Sequence, residues 1–178
     1  MWTEHVNFDL SQPDLAELQR MVAESIAVKE RIVAEDPHEH GIRKALNFGH
    51  TIGHALEEFA LQQATLSGGA VVSTAPENKP TPGDTVVSIS PKKRPLLHGY
   101  AVAFGLIGEL YMSARKAGFP TERLHQTTRF IRENYAQTEF TCNDYPTLLN
   151  LMRHDKKNTS GVINFTLLHN IGDIRINQ

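Results

Sequence analysis

Apolar residues recur at Leu15, Leu18, Val22, Ile26 and Val33, the spacing of one helical face. Just upstream, Ser11-Gln12-Pro13-Asp14 reads as a helix start. Ser11 can cap, Asp14 follows three residues on, and Pro13 is tolerated in a first turn. The pattern predicts a helix from about Gln12 to about Ala34, broken by Asp36-Pro37. A polar turn over residues 38–42 leads into a second predicted helix, from about Arg43 to about Gln63. Residues 64–95 change character, with Gly68-Gly69, five prolines and many Ser and Thr, and read as a long loop. Inside it, residues 71–74 and 85–89 are β-prone and can pair as a hairpin. Loops of this length in compact domains are uncommon and usually functional or disordered. A third helix is predicted over His98 to Lys116, apolar nearly all round and therefore buried. Gly118 and Pro120 stop it. A fourth helix follows over Thr121 to Tyr135 and a short fifth over Tyr145 to His154. Asp155 to Gly161 is a basic turn. Val162 to Leu168 and Asp173 to Asn177 read as two short strands around Asn170-Ile171-Gly172. The fold class is mainly α, with a small two-strand β element at the end and no internal repeat.

Composition adds limits rather than direction. A chain of 178 residues, 40% hydrophobic, suits one domain with a real core. A net charge of −2 gives no general attraction to nucleic acid or an anionic membrane. A local basic cluster can still hold a phosphate. Cys142 is the single cysteine, so no intrachain disulfide forms, and a reducing cytoplasmic setting fits. No apolar run approaches the ~20 residues that span a bilayer. The acidic MWTEHVNFDL start lacks the order of a signal peptide.

The chemistry concentrates in Arg43-Lys44-Ala45-Leu46-Asn47-Phe48-Gly49-His50-Thr51-Ile52-Gly53-His54-Ala55. At about 100° per residue, Arg43, Asn47, His50 and His54 fall within about 60° of one another. Phe48, Ile52, Ala55, Leu56 and Phe59 take the opposite side. The simplest reading is a solvated helix face. Such faces normally carry Glu and Lys, whereas this one carries an arginine, an asparagine and two histidines. Gly49 and Gly53 each cost about 1 kcal/mol against alanine inside a helix, which points to a backbone or ligand close by. Histidines at i and i+4 can both face one divalent metal, or one can bind it while the other moves protons.

Other residues are less specific alone. His98 opens the third helix beside Gly99, a good place to orient a ligand, although a lone histidine there is more simply a cap or surface residue. Lys156 and Lys157 in the turn before the strands can hold a phosphate or carboxylate, or be merely solvated. Lys29 either snorkels from the core or reaches a site. Glu39 can act as a base or offset Arg43. His5, His38, His40, His125 and His169 share no spacing and read as surface residues.

Taken together, these residues resemble a known family. The run from Lys29 through Ile32-Val33, Asp36-Pro37, Glu39, Gly41-Ile42-Arg43 and Leu46-Asn47-Phe48-Gly49-His50-Thr51-Ile52-Gly53-His54-Ala55 resembles the signature of 3-dehydroquinate synthases. Leu97-His98-Gly99 with Ala101-Val102-Ala103 is similar to that family's next block, and Asp155-Lys156-Lys157 to its last. The resemblance implies conversion of 3-deoxy-D-arabino-heptulosonate 7-phosphate to 3-dehydroquinate and phosphate in the shikimate pathway, using NAD and a divalent metal, zinc or cobalt. It implies metal ligation by His50 and His98, proton handling by His54, a proton-acceptor role for Glu39, and substrate binding by Lys29, Arg43, Asn47 and Lys156, with Lys157 the neighbouring candidate.

The resemblance covers the family's C-terminal, metal-binding helical domain, expected over residues 1–178 with 64–95 as an inserted loop. The family's N-terminal NAD-binding domain has no counterpart here, and its third metal ligand, a glutamate, is expected upstream. Tyr100 stands where the family usually has glutamate. The expectation is a fragment holding a metal half-site, inactive alone, whose full-length parent is a cytoplasmic homodimer. The alternatives are a related sugar-phosphate cyclase and a non-catalytic helical interaction module.

Overall fold

The computed structural model describes residues 2–66, 95–135, 140–154 and 162–178. Its elements are α1 (Trp2–His5), α2 (Leu15–Glu35), a 3-10 helix (Ile42–Asn47), α3 (His50–Leu66), α4 (His98–Lys116), α5 (Thr121–Asn134), a 3-10 turn (Cys142–Asp144), α6 (Tyr145–His154), β1 (Leu167–Asn170) and β2 (Asp173–Arg175). The mainly helical class with a terminal hairpin is as expected. No helix among the described residues is long and apolar enough to cross a membrane.

Four expectations change in detail. The first helix is capped by Asp14, whose Oδ1 accepts from the N–H groups of Ala16 and Glu17, because the cap sits after Pro13. Ser11 instead donates its hydroxyl to Asp9. Only Met21 of α2 is buried, and Leu15, Val22 and Ile26 of its apolar stripe are exposed. The predicted second helix divides into the 3-10 helix and α3, with Gly49 between them at φ +83°. The strands are shorter than predicted. Leu167 pairs with Arg175 and Leu168 with Ile174, and beyond a register shift Asn170 pairs with Asp173; Phe165 and Gln178 exchange two further backbone hydrogen bonds. The hairpin within 71–74 and 85–89, like most of the 64–95 loop, lies outside the described residues.

Among the described residues, two apolar clusters form the core. Ala55, Leu56 and Phe59 of α3 pack with Leu148 of α6, flanked by Ile52, Leu96, Phe104, Leu151 and Met152. Leu110 of α4 packs with Phe119 and Leu124, flanked by Phe48, Ala114 and Leu168. Helix α4 therefore touches both clusters. It is not apolar all round in use: Tyr111 is exposed, while Glu109 and Ser113 are fully buried.

Between α3 and α4 the backbones meet. A Cβ on Gly53 would lie 3.0 Å from the Val102 Cα, and one on Gly49 would lie 2.8 Å from Leu106 Cδ2. A Cβ on Gly105 would collide with the Gly49 carbonyl oxygen and the Gly53 nitrogen. The two glycines of the histidine motif thus meet another backbone, as their presence suggested.

Gly105→Ala tests this contact. Alanine gains about 1 kcal/mol of helix propensity, but a methyl group forced into a packed backbone costs about 1–3 kcal/mol or more. The clash is against backbone that cannot rotate away, so net destabilisation is expected in urea unfolding. Gly99→Ala, where an added Cβ meets nothing within 4 Å, is the control and is expected to leave the urea midpoint unchanged or raised.

Candidate metal centre

The break before α3 decides where the histidines sit. Helix N-termini leave several N–H groups without intrahelical partners, and here a buried carboxylate takes them. Gly49 N–H donates to Glu109 Oε2 at 2.6 Å, and the N–H groups of Thr51 and Ile52 donate to Glu109 Oε1 at 3.1 and 3.3 Å. The negative charge also lies at the positive end of the α3 dipole. Thr51, buried, donates its hydroxyl to the Asn164 carbonyl. Thr166 donates to the Lys44 carbonyl, and Leu168 N–H donates to Ser113 Oγ. The terminal β element thereby fastens the start of α3 to α4.

With that end fixed, His50 and His54 sit one turn apart on α3 and His98 begins α4. The three rings converge, with centroid separations of 5.4 Å for His50 and His54, 5.5 Å for His50 and His98, and 5.7 Å for His54 and His98. Each offers a ligand atom, and these atoms lie within 4.8 Å of one another. The contact at Gly105 is what lets residues on two helices come this close.

Two of the rings are oriented by acceptors. His50 Nδ1 lies 3.2 Å from the Phe48 carbonyl and His98 Nδ1 lies 2.9 Å from Glu57 Oε2. An acceptor at Nδ1 requires the proton there, which puts the lone pair on Nε2. Neutral imidazoles with this tautomer are the usual ligands of zinc-type metals, and the outer acceptor is a regular part of such sites. The donor set and its orientation therefore fit a divalent metal.

Of the remaining predicted residues, Glu39, Arg43 and Asn47 share one segment, the turn and 3-10 helix that lead into α3. Asp36, which the sequence pattern marks only as a helix breaker, organises it: its carboxylate accepts from the N–H groups of His40, Gly41 and Arg43 at 3.0, 2.7 and 3.1 Å. Those bonds, the one from Gly41 foremost, hold the Asp36 carboxyl below its ordinary range. Within the turn, Glu39 adopts φ +57° and accepts from Asn47 Nδ2 at 2.5 Å. Arg43 Nη1 donates to the Pro37 carbonyl at 2.6 Å. The single helical stripe expected for Arg43, Asn47, His50 and His54 is thus corrected. The first two belong to the 3-10 helix and its turn, and only the histidine pair keeps the i, i+4 relation.

Lys29 is exposed on α2, which packs against the 3-10 helix. Lys156 and Lys157 lie outside the described residues. Of the histidines read as surface residues, His38, His40, His125 and His169 are exposed, but His5 is half-buried. Tyr100 packs edge-on against Tyr135, ring centroids 5.2 Å apart.

Sequence reasoning passed over Glu109 and Glu57. Each left a signal. Glu109 is the first charged residue in the run from His98, and an acid inside an apolar helix needs a buried partner. Glu57 follows His54 by three residues, which sets it on the histidine side of α3.

Comparison with known proteins places the chain in a family. The family model described as 3-dehydroquinate synthase C-terminal matches residues 1–75 and 87–158. Its two matched stretches leave out 76–86, inside the segment read as an insertion. The chain is 48% identical over 171 residues to a 3-dehydroquinate synthase of Parabacteroides distasonis, covering 96% of this chain and 40% of that protein. It is 31% identical over 156 residues to the Listeria innocua 3-dehydroquinate synthase, covering 88% of this chain and 34% of that protein. The chain therefore spans about two fifths of the first of these relatives and about a third of the second.

Two outcomes are expected. Glu109→Ala removes the acceptor of two buried N–H groups and one half-buried one and should cost roughly 3 kcal/mol of stability in urea unfolding. For Asp36 the folded value is lowered, so its contribution is complete above the ordinary aspartate range and is lost as pH falls through the lower folded value. An NMR titration should show the amides of His40, Gly41 and Arg43 moving together, with a midpoint below that of an unperturbed aspartate.

Proposed function

Since the chain belongs to the 3-dehydroquinate synthase C-terminal family, we propose that it supplies the metal-binding and substrate-binding half of such an enzyme, whose other half binds NAD. The reaction is conversion of 3-deoxy-D-arabino-heptulosonate 7-phosphate to 3-dehydroquinate and phosphate. The observation that carries this reading is the convergence of His50, His54 and His98 within 4.8 Å from two separate helices. A solvated helix face has no need of it, and neither does a non-catalytic interaction module.

In this reading His50 and His98 hold a zinc or cobalt ion, with a further ligand from outside this chain. The bound ion would polarise the carbinol to be oxidised and acidify its hydroxyl. His54, beside both ligands, relays protons at the substrate hydroxyls, a task suited to imidazole near neutral pH. Glu39 is a second proton acceptor, held toward Asn47 by its hydrogen bond. Arg43 uses one N–H on the Pro37 carbonyl. A guanidinium has five donors, so others can meet a substrate anion. Lys29 and Lys156 add positive charge for the phosphate and carboxylate, which fixes the substrate pose.

The same reading makes the NAD-binding half the natural partner of this chain and the homodimer its natural assembly. A reducing cytoplasmic compartment suits Cys142, which is an exposed free thiol. The chain by itself is expected to bind metal weakly and to lack turnover.

Calorimetric titration with zinc and with cobalt tests the site. Weak binding to the unaltered chain and its loss in His50→Ala and in His98→Ala are expected. Equal binding by all three proteins would remove the metal reading. Adding a separately produced NAD-binding half from the Parabacteroides relative, with NAD and metal, should give phosphate release that neither half gives alone. His54→Ala should lower that rate by about 100-fold or more while leaving metal affinity nearly unchanged.

A further inference from the structure

We infer that Glu57 is a positioning residue that holds the His98 imidazole in its metal-binding tautomer and orientation. This rests on the metal reading above and deepens it.

His98 needs such a partner more than His50 does. His50 stands at a helix start already fixed by Glu109 and the terminal β element. His98 is the first residue of α4, and its side chain is 54% exposed. The residue before it, Leu97, provides no side-chain cap. Next to it, Gly99 presents no side chain, and a Cβ built there would meet nothing within 4 Å. Packing therefore does little to select a rotamer for this ring.

Glu57 supplies the selection from the opposite helix. Its Oε2 stands 2.9 Å from His98 Nδ1. A carboxylate at that distance accepts the Nδ1 proton, leaves the lone pair on Nε2 and makes the ring a better donor to a cation. Glu57 lies half-buried about one turn beyond His54 on α3, a helix whose buried face includes Leu56 and Phe59. The carboxylate thus ties α3 to α4 at the start of α4, as Glu109 ties them at the start of α3.

The test uses the intact chain and four variants: Glu57→Ala, Glu57→Gln, Glu57→Asp and His50→Ala. Cobalt affinity is read from its visible absorption, the His98 tautomer from long-range 15N NMR of metal-free protein, and folding from the thermal midpoint. Glu57→Ala is expected to weaken cobalt binding about 10- to 100-fold and to move the His98 nitrogens away from the Nδ1–H pattern, with the thermal midpoint nearly unchanged. Glu57→Gln, which keeps an acceptor without the charge, should fall between, and Glu57→Asp should recover part of the affinity. Unchanged affinity and an unchanged tautomer in Glu57→Ala would overturn the inference while His50→Ala still lost the metal. Should the unaltered chain bind no cobalt, the metal reading for the isolated chain fails. The tautomer measurement then decides Glu57 alone, and a His98 pattern that ignores Glu57→Ala sinks it.

Discussion

Everything in the site depends on how closely α3 and α4 approach. Gly105 on α4 faces Gly53 on α3 and Gly49 just before it, with no room for a methyl group between them. Ordinary helix pairs stand 8–10 Å apart, depending on the side chains at the contact, and small residues shorten that distance. His50 and His54 are placed by one helix and His98 by the other, so the spacing of their imidazoles follows from this crossing. The cost of glycine in helices, about 1 kcal/mol each, is offset by the geometry it permits.

Close approach would leave polar backbone stranded if nothing met it. Glu109 answers that need by accepting from three N–H groups at the start of α3. A buried carboxylate is costly unless it is well hydrogen-bonded. The oriented N–H groups and the positive end of the α3 dipole lower that cost here. Ser113, one turn further along α4, accepts from Leu168 and donates to the Glu109 carbonyl. Structural polarity and chemical polarity are thus divided along α4: Glu109 and Ser113 face inward to hold the fold, and His98 faces the cluster.

Much of the helical fold was legible in the sequence, since α4, α5 and α6 follow apolar spacing and clear stop residues. The pairing of His50 with His54 was legible for the same reason. What spacing alone misjudged was continuity. Arg43 to Gln63 has an unbroken helical period, yet the chain breaks at Phe48-Gly49 because Glu109, sixty positions away, takes the N–H groups that a continuous helix would use. No local pattern carries that information. Asp36 was hidden similarly, its role lying in backbone bonds that a turn sequence does not display. Convergence of His98 with the pair was implied by family resemblance rather than by spacing. The α2 stripe shows the reverse limit, for a clean apolar period at Leu15, Val22 and Ile26 is exposed.

The connection between α3 and α4 has a different kind of consequence. Leu96, just before α4, packs on the α3 cluster, so α4 is seated from its first turn by contacts that do not involve residues 67–94. Each doubling of a connecting segment adds only about 0.6 kcal/mol of closure entropy. Insertions can accumulate between the two histidine-bearing helices at little thermodynamic cost, with the ligand geometry left intact. The family match itself skips residues 76–86 within this stretch, in keeping with that low cost.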